Sequence, residues 1–289
     1  MKTKEGNQQP KMPDQETREQ PANQNTDRQN SGNQKTGTIL STQSQKSEQD
    51  VNQVHWVIQK KGGVGKSLAA SMIAQFLRSR GDRVEVVDTD PSNATLFGYK
   101  ALQASRLDLM DGTLLNEAKF DALIMRILSE DANFVVDNGA SSFIPLNNYL
   151  IENSVIDMIA EHGKQVVVHT VIAGGSSLMD SLHGFADLVE QMPGQARMVV
   201  WLNDHFGKIE VDGLPFEEMN VYLKNQDRIH GIVRLPKQNP ATFGADMERM
   251  LTAKLTFDEI NLSSDFDLMK KSRLFRVRKD IYRQLEEVV

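Results

Sequence analysis

Eight consecutive residues, Lys60-Lys61-Gly62-Gly63-Val64-Gly65-Lys66-Ser67, have the composition of a loop that wraps phosphate. Gly62, Gly63 and Gly65 allow a tight turn and let phosphate oxygens come close to backbone N–H groups. Lys66 supplies a long cation that can reach β- and γ-phosphates, and the Ser67 hydroxyl can enter the shell of a Mg²⁺ ion. Val64 and Leu68 complete the stretch expected to touch the ligand. The chemistry implied is binding of a nucleoside triphosphate with Mg²⁺. The general motif begins with glycine where this chain has Lys60.

Such a loop works only between a strand and a helix. Residues 54–58, Val-His-Trp-Val-Ile, are a short β-prone run leading into it. After Lys66, the apolar residues Leu68, Met72, Ile73, Phe76 and Leu77 recur at helical spacing, and Gly81 is a natural stop. The helix would point its positive end at the phosphates. Further strands are predicted at 84–88, 134–137, 165–172 and 198–202, with a weaker one at 232–233. Helices are predicted at 120–128, 146–159 and 178–192. Strands alternating with helices imply an α/β fold: a mostly parallel, twisted sheet flanked by helices on both faces. Ligands of such sheets bind beyond the carboxyl ends of the strands. Asp88, Asp90, Asp137 and Asn203 all fall at or just past predicted strand ends. Apolar residues running into Asp137 form a Walker B element, whose carboxylate holds Mg²⁺ directly or through water.

Of the 289 residues, 39% are hydrophobic and 25% charged, and the net charge is −6. The apolar deficit is concentrated in residues 1–50, a polar stretch expected to be disordered because it cannot bury enough surface to offset the entropy of ordering. It lacks the apolar core of a secretory signal. Cysteine is absent, which excludes disulfide and thiol chemistry. No apolar run is long enough to span a bilayer, so a cytoplasmic location is expected. His55 and His169 fall within predicted strands as packed residues, and the six histidines show no metal-ligand spacing. Residues 51–265 are expected to form the ATPase domain and residues 266–289 an amphipathic, basic C-terminal helix. Its stripe is Leu274, Val277, Ile281, Leu285 and Val288. That helix could dock on its own domain, touch DNA or lie on a membrane.

The segment Lys61-Gly62-Gly63-Val64-Gly65-Lys66-Ser67 resembles the deviant phosphate loop of the ParA/MinD family of ATPases. The resemblance implies that Lys61 crosses a dimer interface to the partner's nucleotide, offsetting the charge buried when ATP is enclosed by a homodimer. A solvated loop lysine is the simpler alternative. Asp88-Thr89-Asp90-Pro91 is similar to the family's Asp-x-Asp-Pro switch. It implies that Asp88 lies near the Mg²⁺ shell and that Asp90 orients or activates the attacking water. Ordinary capping would give the same pattern. By the same resemblance, Asn203 recognises the base and the turn at Pro236 closes over it, although Asn203 could be a turn residue. The guanine signature Asn-Lys-x-Asp is absent, which favours ATP. Asp137-Asn138-Gly139-Ala140-Ser141 departs from the family's usual Asp-x-Pro. Together with Ala241-Thr242-Phe243-Gly244 it is similar to TraL-type proteins of plasmid conjugation systems. That similarity implies an ATPase accessory to conjugal DNA transfer by type IV secretion, with a protein of the conjugation or secretion machinery as partner. The alternatives are a partition ATPase binding non-specific DNA and a non-hydrolysing nucleotide-binding scaffold.

Overall fold

The computed structural model describes residues 51–112 and 114–289; the polar segment 1–50 lies outside the described residues. Seven strands form one sheet: β1 (Gln53–Val57), β2 (Val84–Asp88), β3 (Ser105–Arg106), β4 (Asn133–Asp137), β5 (Gln165–Ala173), β6 (Arg197–Asn203) and β7 (Ile229–Leu235). Their spatial order is β7-β6-β5-β1-β4-β2-β3, and every pairing is parallel. The chain builds outward from β1 on one side, then crosses to the other. The carboxyl end of β1 is therefore the topological switch point, where open parallel sheets hold their ligands. Register places the useful residues side by side: Val57 and Asp88 both pair with Asp137, and Ala173 and Leu235 both pair with Asn203.

The inner strands are apolar along their whole length because both faces are covered. Helices α2 (Glu117–Ser129), α3 (Phe143–Glu152), α4 (Val155–Glu161) and α5 (Leu178–Gln191) cover one face, where Trp56, Phe120, Phe134 and Phe185 pack. Helices α1 (Lys66–Ser79), α6 (Ala245–Thr252), α7 (Phe257–Leu262) and α8 (Leu268–Glu286) cover the other, around Ile73, Phe76, Trp201 and Leu285.

Several elements differ from the sequence expectation, among them the unpredicted helices α6 and α7. The helix predicted over 146–159 is two helices, α3 and α4, broken at Ser154, which takes a left-handed φ of 48°. The apolar period runs through the break without glycine or proline to mark it. Strand β7 is seven residues long rather than two; it is the sheet edge, and its partly exposed positions dilute the apolar signal. Strand β3, two polar residues, carries no pattern at all.

The C-terminal stripe is buried: Leu274, Val277, Ile281 and Leu285 of α8 join the core beside α1 and β7. Val288 reaches Gly231 of β7, where an added Cβ would lie 2.2 Å from Val288 Cγ1. Burying four such side chains contributes on the order of 10 kcal/mol, so the stripe serves its own domain rather than a bilayer. Part of the basic face is likewise used internally, through Arg273 with Asp246 at 2.5 Å and Arg278 with Asp258 at 2.9 Å. Among the described residues, no helix is long and apolar enough to cross a membrane.

Candidate nucleotide site

The loop after β1 turns on two glycines in the left-handed region, Gly63 at φ 75° and Gly65 at φ 110°. Gly65 is also needed for space, since a Cβ there would lie 2.9 Å from the Asn203 amide nitrogen. Helix α1 starts at Lys66 with no side chain capping its first turn. Its free N–H groups and the helix dipole face the loop, an arrangement suited to an anion.

Lys66 is nearly buried, and its ammonium donates to the Lys61 carbonyl at 3.2 Å. Burial lowers its pKa, and the nearby carboxylates of Asp137 and Asp90 oppose that effect. Asp137, only 1% exposed, lies at the end of β4 with neither carboxylate oxygen in normal hydrogen-bond geometry with a donor. Its pKa is pushed up to about 7, chiefly by burial. The Ser67 hydroxyl lies close enough to oppose the rise without closing a good hydrogen bond, and the charges of Asp88 and Asp90 add to it. A buried carboxylate without a donor is costly, and beside a serine hydroxyl at the mouth of a phosphate loop it fits a Mg²⁺ ion. Among the described residues, no three His, Cys, Asp or Glu side chains converge on a metal site. Ser67 and Asp137 are the side chains placed to hold such an ion together with phosphate oxygens.

Asp88 is fully buried, and both its oxygens are engaged: Oδ1 accepts the Asp90 N–H at 3.1 Å and Oδ2 accepts the Phe97 N–H at 2.9 Å. Burial raises its pKa, and those two bonds oppose the rise. The carboxylate braces its own turn, whereas Asp137 keeps its oxygens open. Asp90 Oδ1 accepts the N–H groups of Ser92 and Asn93 at 2.9 and 3.1 Å.

Asn203 is brought to the loop but is already used there. Its Nδ2 donates to the Val64 carbonyl at 2.9 Å, and its Oδ1 accepts the His205 N–H at 3.2 Å. Beside it opens a cavity of about 570 Å³ lined by Gly65, Leu68, Asn203, Phe206, Pro236 and Phe243 among others. Its mainly apolar walls suit a flat base. Pro236 lies where the sequence put it; Phe206 and Phe243 were not anticipated.

Three more residues make contacts that carry no signal in the sequence. Gln59, 1% exposed, donates from Nε2 to the Val171 and Ser181 carbonyls at 3.0 and 3.1 Å, tying the loop entrance to β5 and α5. Lys61 lies 2.7 Å from Asp180, and Lys60 lies 3.3 Å from Asp187, both acids on α5.

A glycine loop at the switch point of a parallel sheet, with an open aspartate on the adjacent strand, defines a P-loop nucleotide-binding domain. The chain belongs to the CobQ/CobB/MinD/ParA nucleotide binding domain family, which matches residues 56–272. It is 44% identical over 233 residues to Protein TraL of Escherichia coli, covering 81% of this chain and 97% of that protein. A second Escherichia coli Protein TraL is 43% identical over the same length. Among solved structures it is similar to the MinD cell division protein of Aquifex aeolicus, at 15% identity over 81% of this chain and 96% of that one, TM-score 0.44. It is also similar to a putative plasmid partition protein of Borrelia burgdorferi bound to AMPPNP, at 15% identity, 82% and 100% coverage and TM-score 0.45.

Proposed function

We propose that this chain is a Mg²⁺- and ATP-dependent dimerising switch with slow ATPase activity, acting in the cytoplasm in plasmid conjugal transfer. The observation that carries the reading is the open Asp137 carboxylate facing Ser67 beside the glycine loop. Lys66 and the α1 N-terminus would hold the phosphates, with the base in the cavity at Phe206, Pro236 and Phe243. Ser67 and Asp137 would hold Mg²⁺, which would supply charge neutralisation for the phosphates. In hydrolysis, water forms a bond to the γ-phosphorus while the bond to the bridging oxygen of ADP breaks, and Asp90 accepts the water proton. Lys61 would leave Asp180 and reach the partner's phosphates. Similarity to the TraL proteins supports the place in conjugation and a partner protein in the transfer or secretion machinery.

The test is ATP turnover and light scattering with Mg²⁺-ATP. Wild-type protein hydrolyses ATP and dimerises, Lys66→Ala binds no nucleotide, and Asp90→Ala accumulates an ATP-bound dimer. Wild-type turnover by Asp90→Ala removes that residue's role. Binding without turnover, even over hours with transfer proteins present, replaces the ATPase reading by a scaffold.

A further inference from the structure

Gly139 has no conformational reason to be glycine. Its φ of −64° and ψ of 151° are open to any residue, proline included. The reason is space. A Cβ built on Gly139 would lie 2.7 Å from Asp90 Oδ1, 2.8 Å from its Cγ and 3.2 Å from its Cα. Carbon cannot approach that closely, so either Asp90 or the loop after β4 would have to shift.

Neither has much freedom. Asp90 is pinned through Oδ1 to the Ser92 and Asn93 N–H groups, and it is followed by Pro91, whose φ is fixed. Just before it, the Thr89 N–H donates to the Asp137 carbonyl at 2.9 Å. The Thr89 hydroxyl lies 2.5 Å from Asn138 Oδ1 and 2.9 Å from the Asp137 carbonyl. The turn after β2 and the turn after β4 are thus tied together immediately before the Asp90–Gly139 contact.

We propose that Gly139 is a positioning residue for Asp90: by lacking a Cβ it lets the Asp90 carboxylate lie flat against the turn after β4. This rests on the reading that Asp90 serves hydrolysis. Gly139 touches no nucleotide in this scheme, so its effect belongs to turnover and not to binding.

The experiment is a double-mutant cycle with Gly139→Ala and Asp90→Ala. Gly139→Ala is expected to lower kcat roughly 10- to 100-fold, the cost of misplacing a catalytic group by about 1 Å. The dissociation constant for Mg²⁺-ATP should stay within about twofold, and the loss should vanish in the Asp90→Ala background. An unchanged kcat, or a loss that adds in full to that of Asp90→Ala, overturns the proposal. Thermal unfolding of the nucleotide-free variants is read in parallel. Gly139→Ala should lower Tm when Asp90 is present and much less when residue 90 is alanine; equal losses in both backgrounds overturn the contact itself. Should Gly139→Ala fail to fold alone, recovery of folding in the Asp90→Ala background supports the proposal and no recovery overturns it. Absence of turnover in the wild type defeats the ATPase reading, while the unfolding cycle still decides whether Gly139 makes room for Asp90.

Discussion

The Lys61 ammonium lies 2.7 Å from the Asp180 carboxylate of its own helix α5. The pair holds the Asp180 carboxyl below its ordinary range. Both side chains are well exposed, 36% and 60%, so the bond is screened and weak. A weak pair leaves the lysine free to move, and in the proposed dimer the partner's polyphosphate would compete for it.

Asp180→Asn should therefore ease dimerisation. The expected result is a few-fold lower ATP concentration at half-maximal dimer, measured by light scattering across an ATP titration, with nucleotide affinity of the monomer unchanged. Lys61→Ala should keep nucleotide and lose the dimer. A dimer that forms equally well in Lys61→Ala contradicts the role given to Lys61.

Asp137 makes the site pH-sensitive. Its folded pKa of about 7 stands above the ordinary 3.8, so the folded state holds a proton that the unfolded state releases. This stability is fully present below pH 3.8, declines as pH rises and is gone above about 7. Asp137→Asn needs no proton. Without nucleotide, it should be more stable than wild type at pH 8 and similar near pH 4, by calorimetry in chelator. The same variant should lose the Mg²⁺-dependent part of ATP affinity. Equal pH dependence of the two proteins would contradict the buried, donor-free carboxylate.

How much of the fold and site was legible depends on where each signal lives. The phosphate loop is readable because its backbone demands glycine at Gly63 and Gly65, and one strand and one helix flank it locally. Strands β1, β2, β4, β5 and β6 are readable because burial on both faces writes continuous apolar runs. Strand β7 at the edge and the break at Ser154 leave weak or no marks. The contacts that tune the site are non-local. Asn203 meets Val64 from 139 positions away, Gln59 meets Ser181 from 122, and Lys61 meets Asp180 from 119. Spacing within a motif carries no information about them.

The core holds a second titrating device of opposite sign. Trp201 Nε1–H donates to His169 Nδ1 at 3.1 Å, which leaves the His169 proton on Nε2, 3.0 Å from His55 Nδ1. Both rings are fully buried and neutral; burial pushes His55 down to about 3 and His169 well below its ordinary value, with His55 adding to the latter shift. Depressed folded pKa values mean stability complete above the ordinary 6.5 and lost as pH falls toward 3. In Asp137→Asn, where the opposing slope of Asp137 is removed, each histidine should contribute a fall in stability of about 1.4 kcal/mol per pH unit below 6.5. His55→Gln, which keeps an acceptor for His169, should flatten that slope by about half in urea titrations at pH 7, 6 and 5. An unchanged slope would show that the histidines are not the groups responsible.

Asn203 separates bracing the loop from reading the base. If the carboxamide recognised adenine, Asn203→Ala would weaken ATP far more than GTP. The observed bonds, Nδ2 to the Val64 carbonyl and Oδ1 to the His205 N–H, give it a different role, which is to hold the loop in the shape that the phosphates require. Phosphates are common to both nucleotides. Losing one buried hydrogen bond costs about 1–1.5 kcal/mol, so Asn203→Ala should bind ATP and GTP each about tenfold more weakly, with their ratio preserved. Phe243→Ala removes an apolar wall of the cavity and no contact to the loop; it should weaken adenosine-containing ligands while sparing affinity for inorganic triphosphate. Competition titrations with ATP, GTP and triphosphate distinguish the two variants. A selective loss of ATP in Asn203→Ala would return base recognition to that residue.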